Sequence, residues 1–103
     1  MQNMNDLIRQ AQVMQNKLVK LQQEMAEKEV ETSAGGGMVK ITMNGRQELR
    51  KVFIDPNLLV DKDVEMLQDL ILSAVNEGVR VTREAAEQEM ASLSGGLNLP
   101  GMF

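Results

Sequence analysis

The chain has 103 residues, 43% of them hydrophobic, with 11 Lys+Arg against 15 Asp+Glu and a formal net charge of −4. That is one domain's worth of chain with apolar material for a core. Cys, His, Trp and Tyr are all absent and Phe numbers two, which excludes disulfides, thiol nucleophiles, the usual zinc and haem sites, imidazole bases and aromatic platforms for single strands.

The segment Met1–Asp6 shows no basic n-region and no apolar h-region, and no run approaches the roughly 18 apolar residues of a membrane span. A cytoplasmic protein without membrane contact is expected. Apolar residues then recur at Met4, Leu7, Ala11, Met14, Leu18, Leu21 and Met25. The steps alternate between three and four, the heptad spacing of an amphipathic helix with a coiled-coil seam. No Gly or Pro interrupts it, so a helix over about 3–28 is predicted, a rod of roughly 38 Å.

The period then falls to two. Val30, Thr32 and Ala34 suggest a short strand, Gly35-Gly36-Gly37 a flexible turn, and Val39, Ile41 and Met43 a second strand. Asn44-Gly45 is a strong hairpin signal, because a two-residue turn needs positive φ at both positions. The returning strand ends in Val52-Phe53-Ile54; Leu49 is out of phase with Val52 and Ile54, which predicts a bulge or a change of face near Arg50. Asp55-Pro56 reads as the cap and first position of a short helical turn.

Helical spacing returns at Val64, Leu67, Ile71, Ala74, Gly78, Val81 and Ala85, widened by Leu70 and Val75. A second helix over about 62–91 follows, with Asp61 and Asp63 as cap and first-turn acid. The small residues Ala74, Gly78 and Ala85 suit close approach of a partner helix. Four of the nine Met (Met4, Met14, Met25 and Met43) fall on predicted buried faces. The reading is one α+β domain over 1–93, helix–three-stranded antiparallel sheet–helix, with strands over about 29–54 and a flexible tail at 94–103. Two helices longer than the sheet can cover would leave a Leu/Met stripe in water, so a two-fold homodimer is expected.

Little here resembles catalytic chemistry. Asp61, Asp63, Glu65 and Asp69 form the densest acidic cluster, and helix-dipole stabilisation accounts for it without a metal. Gly35–Gly37 lacks the Gly-Lys-Ser/Thr ending and following helix of a phosphate loop. No cofactor, small-molecule substrate or enzyme activity is expected. Charge is segregated. Residues 1–23 carry Arg9, Lys17 and Lys20 against Asp6, and residues 38–54 carry Lys40, Arg46, Arg50 and Lys51 against Glu48. Residues 55–79 hold six acids and one Lys. Arg80 and Arg83 follow, with Glu84 and Glu87 as their i,i+4 partners.

Taken together, Gln10–Leu18, Gly37–Gly45, Ile54–Leu59, Glu65–Ile71 and the ending Met90–Gly101 resemble the YbaB/EbfC family of nucleoid-associated proteins in both order and spacing. The resemblance implies a tweezer-like homodimer whose sheets associate and whose helices project, binding double-stranded DNA at the nucleoid. On matching positions it implies DNA contacts at Lys17, Lys20 and Arg80, with Arg9 aligned to a further basic position and Arg50-Lys51 to a basic pair near the sheet. Contacts of this type neutralise phosphates and discriminate little between sequences. A coiled-coil chaperone or scaffold, prefoldin-like in plan, is the alternative that helix–hairpin–helix order and Met content also suit.

Overall fold

The computed structural model describes residues 3–97 of the 103, with side chains through residue 92. Helix α1 spans Met4–Glu27 and begins where Asn3 accepts a hydrogen bond from the Asp6 backbone N–H at 2.8 Å. It ends where Lys28 turns extended while its N–H still reaches Glu24 O. Three strands follow, β1 (Val30–Ala34), β2 (Val39–Met43) and β3 (Leu49–Ile54), then a 3-10 turn at Pro56–Leu59 and helix α2 (Val64–Leu97). The strands form one antiparallel sheet in the order β1-β2-β3.

β2 is central, and alternation decides the core. Val39, Ile41 and Met43 share one face and are almost fully buried, joined by Leu58 from the 3-10 turn and Ala74 from α2. Register pairs Ile41 with Thr32 on one side and Val52 on the other. α2 lies across β1 and β2. It approaches so closely at Gly78 that a Cβ there would stand 2.8 Å from Ile41 Cδ1 and 3.3 Å from Thr32 Oγ1. Ala74 and Gly78 therefore seat the sheet, not a partner helix as their spacing suggested, whereas Ala85 is exposed. Thr32 Oγ1 seals the contact by donating to Ala74 O at 2.8 Å.

The hairpin turn also differs from its expected form. It spans Asn44 to Glu48: Gln47 N–H donates to Asn44 O at 3.0 Å, Asn44 N–H to Glu48 O at 3.1 Å, and Gln47 carries the positive φ of 61°. This is the three-residue loop with a left-handed third position, in place of a two-residue Asn-Gly turn. Asn44 Oδ1 organises it by accepting from the N–H groups of Arg46 and Glu48, both at 3.0 Å. Gly45 is required for another reason. A Cβ there would lie 1.9 Å from Met25 O, and the Gly45 N–H donates to Ala26 O at 3.1 Å, so the turn is pinned to the end of α1.

Other local features follow the residue chemistry. The register shifts at Arg50, with Thr42 facing Lys51 and Met43 facing Leu49, which is the bulge that the phase of Leu49 requires. Asp55 caps the 3-10 turn through Asn57 N–H at 2.9 Å. Asp63 caps α2 through Met66 N–H at 3.0 Å, so Glu65 becomes the first-turn acid and Asp61 lies outside the helix. α2 runs to Leu97, past the expected end near 91; of the expected tail, residues 98–103 lie outside the described residues.

No residue of α1 is buried. Of its predicted seam, Leu18, Leu21 and Met25 are half-buried, while Met4 is 70% and Met14 44% exposed, so two of the four Met expected inside face water in one chain. β3 is left open too, because α2 lies over β1 and β2; Leu49 and Val52 on the core face are each about half exposed, as is Phe53 on the opposite face. The result is an elongated body with extents of 75 × 24 × 15 Å.

Candidate nucleic-acid interface

The six cations singled out from sequence fall into three places. Arg9, Lys17 and Lys20 are exposed along α1. At 3.6 residues per turn, Arg9 and Lys20 lie within about 20° of one another and Lys17 about 80° from Arg9. The seam residues Leu7, Met14, Leu18 and Leu21 centre about 140° from Arg9 and Lys20, while Lys17 flanks them, about 40° from Leu21. One face of α1 is thus apolar and unpartnered, Arg9 and Lys20 stand away from it at roughly 17 Å along the axis, and Lys17 borders it. A helix pinned mainly at its C-terminal end holds these cations away from the sheet.

Arg50 and Lys51 belong to β3 and are exposed. Lys51 faces Thr42 across the ladder, on the sheet face that α2 does not cover. Lys40 projects from that same face and holds its Nζ 5.8 Å from the centre of the Phe53 ring. Glu31, Lys40, Thr42, Lys51 and Phe53 line a shallow depression of about 450 Å³. Lys40 is a cation of this face that the candidate set lacks. Strand alternation was sufficient to find it, since Lys40 and Thr42 are the polar positions between three core residues.

Arg80 stands on α2, and its surroundings differ from those of the other five. Its Nε donates to Glu77 Oε2 at 3.1 Å, Nη2 donates to Glu77 Oε1, and Nη1 donates to Glu84 Oε1 at 2.9 Å. The forked hydrogen bond to Arg80 holds the Glu77 carboxyl below its usual range, and both carboxylates push the already high Arg80 value higher still. The i,i+4 pair with Glu84 was legible from spacing; Glu77, at i,i+3, was the missed partner. Among the described residues, Arg83 forms no ion pair with Glu87.

The hairpin loop braces α2 beside Arg80. Gln47 Nε2 donates to Val79 O at 3.3 Å and to Thr82 Oγ1 at 3.4 Å, while the buried Thr82 hydroxyl donates to Gly78 O at 2.9 Å. α2 and the end of α1 enclose an open groove of about 310 Å³, with Met25, Ala26, Ala85, Ala86 and Met90 among its apolar walls. Among the described residues, no helix is long and apolar enough to cross a membrane.

Against known proteins, the model of the YbaB/EbfC DNA-binding family matches residues 1–97. A nucleoid-associated protein of Thermoanaerobacter pseudethanolicus is 50% identical over 101 residues, covering 98% of this chain and 91% of its own length. One from Moorella thermoacetica is 52% identical over 101 residues, covering 98% of this chain and 97% of its own. The crystal structure of an uncharacterized protein from Helicobacter pylori matches with a TM-score of 0.71 at 26% identity, over 90% of this chain and 98% of that one.

Proposed function

The chain belongs to the YbaB/EbfC DNA-binding family, and from that premise we propose that it works as a homodimer that binds double-stranded DNA with little sequence preference. It acts at the nucleoid in the cytoplasm, where it organises DNA or modulates gene expression. The observation that carries this reading is the two-sided character of α1. A helix with no buried residue exposes Met4, Leu7 and Met14 on one side, with Arg9 and Lys20 turned away from that stripe and Lys17 along its edge. Apolar stripes of this size are covered in soluble proteins. A second copy covers them with a matching stripe and leaves both cationic faces outward, as the arms of a tweezer. β3 supports the same pairing, since Leu49 and Val52 extend the core face beyond the reach of α2.

The cations act as phosphate ligands. Lys17 and Lys20 lead, with Arg80 on α2 and Arg9 beside them; Arg50 and Lys51 serve the sheet end. The pair carries −8, twice the −4 of one chain, so attraction begins only when the arms come close. Screening beyond about 10 Å at 0.1 M salt limits the repulsion. Few side chains on these faces read base edges, so recognition follows backbone and shape.

Two measurements test the reading. Sedimentation equilibrium should return a mass near twice 11.5 kDa; a clean monomer removes the basis for the paired arms. Replacing Lys17, Lys20 and Arg80 by Ala should weaken binding to unrelated duplexes alike, and unchanged affinity would contradict the arm contacts.

A further inference from the structure

Arg80 differs from the other candidate contacts in being engaged before any DNA arrives. All three of its guanidinium nitrogens donate to carboxylate oxygens, two to Glu77 and one to Glu84. Among the described residues, Arg9, Lys17, Lys20, Arg50 and Lys51 form no such pair. Arg80 and its two carboxylates together carry −1, and with Arg83 the stretch from Glu77 to Glu84 is neutral, so an incoming phosphate meets far less attraction there than an isolated arginine would offer. The three side chains are also well exposed, at 55%, 42% and 55% for Arg80, Glu77 and Glu84. Ion pairs in water are weak, so a phosphate can take a carboxylate's place. The fork that grips Glu77 is the same one that grips a phosphate.

We propose that Glu77 and Glu84 compete with DNA for Arg80, holding the duplex affinity of this protein below what its cations would otherwise give. The inference rests on the duplex-binding reading above. Lys17 and Lys20 make contact first, and Arg80 joins only as a phosphate displaces a carboxylate. Binding through Arg80 is therefore an exchange of anions. It adds less to affinity and to salt dependence than a free arginine does, and the two glutamates set the strength of binding without touching DNA.

The test is a double-mutant cycle read by anisotropy on a labelled random-sequence duplex, using the full chain. Four proteins are compared: wild type, E77Q/E84Q, R80A and E77Q/E84Q/R80A. Removing both carboxylates should tighten binding about fivefold at low salt. It should also steepen the dependence of log K on log salt by about one per protomer, since Arg80 then neutralises a phosphate outright. In the R80A background the same change should give less than about twofold, because only general charge removal remains. Equal gains in both backgrounds, or no gain in either, overturn the proposal. Binding by wild type with no coupling in the cycle sinks this inference alone; no binding of duplex by any of the four sinks the duplex-binding reading with it. All substitutions are at exposed positions, and thermal unfolding of each variant confirms that folded proteins are compared.

Discussion

Gly45→Ala isolates the joint that carries α1. Gly45 is not among the glycines with positive φ, which are Gly35, Gly36 and Gly37, so alanine is compatible with its backbone. In open space the change would stabilise by about 0.4–1 kcal/mol, through a less flexible unfolded chain. The structure reverses that sign. The new Cβ would lie 1.9 Å from Met25 O, 2.8 Å from Met25 C and 3.1 Å from Ala26 Cα, all backbone atoms that no rotamer change can move. A carbon–oxygen contact needs about 3.3 Å, so the turn must withdraw by roughly 1.4 Å. That carries the Gly45 N–Ala26 O bond, now 3.1 Å, to about 4.5 Å and out of range. The lost bond is worth about 1 kcal/mol and the forced shift a further 1–2, for a net destabilisation of about 2–3 kcal/mol. Urea denaturation at fixed protein concentration reads the total, and hydrogen exchange at the Gly45 amide locates it. Equal or greater stability with unchanged protection would refute the contact.

Other outcomes follow from the same geometry. Ile41→Ala should cost about 2–5 kcal/mol in chemical denaturation, because Ile41 is 1% exposed beneath Gly78. Asp63→Ala should cost about 1 kcal/mol by removing the cap on Met66 N–H, measurable as a lower melting temperature. Glu77 should titrate below the usual carboxylate range, and Arg80→Ala should return it to that range by side-chain NMR. Because its folded value is depressed, whatever stability the pair adds is present above the ordinary carboxylate range and disappears as pH falls through the lowered value.

Much of this fold was legible because local periodicity and tertiary packing agree. The steps at Met4 to Met25 identify a helix, though none of its seam is buried in one chain; the alternation at Val39, Ile41 and Met43 identifies a strand and its inner face, and the phase of Leu49 points to the irregularity at Arg50. What escaped were contacts between distant segments. Gly45 and Gly78 look like turn chemistry and a helix seam. Their true partners are the Met25 carbonyl and the Ile41 side chain, which no local pattern reveals. The exposure of β3 likewise depends on where α2 lands, which spacing alone does not say. Among the candidate contacts, the alignment of Arg9 with Lys20 and the place of Lys17 beside the seam are calculable from the helical period. The capture of Arg80 from both sides depends on rotamers as well as spacing, and there the sequence supplied half the answer through Glu84.

The proposed function is that of a homodimer binding duplex DNA through phosphate-contacting cations. The most direct test is anisotropy of a labelled random-sequence duplex titrated with the protein at about 50 and 200 mM salt. Binding at the lower salt that falls steeply at the higher is the predicted result, with a slope that reports the phosphates neutralised per dimer. A folded dimer that leaves the duplex unbound at both salts would contradict the account.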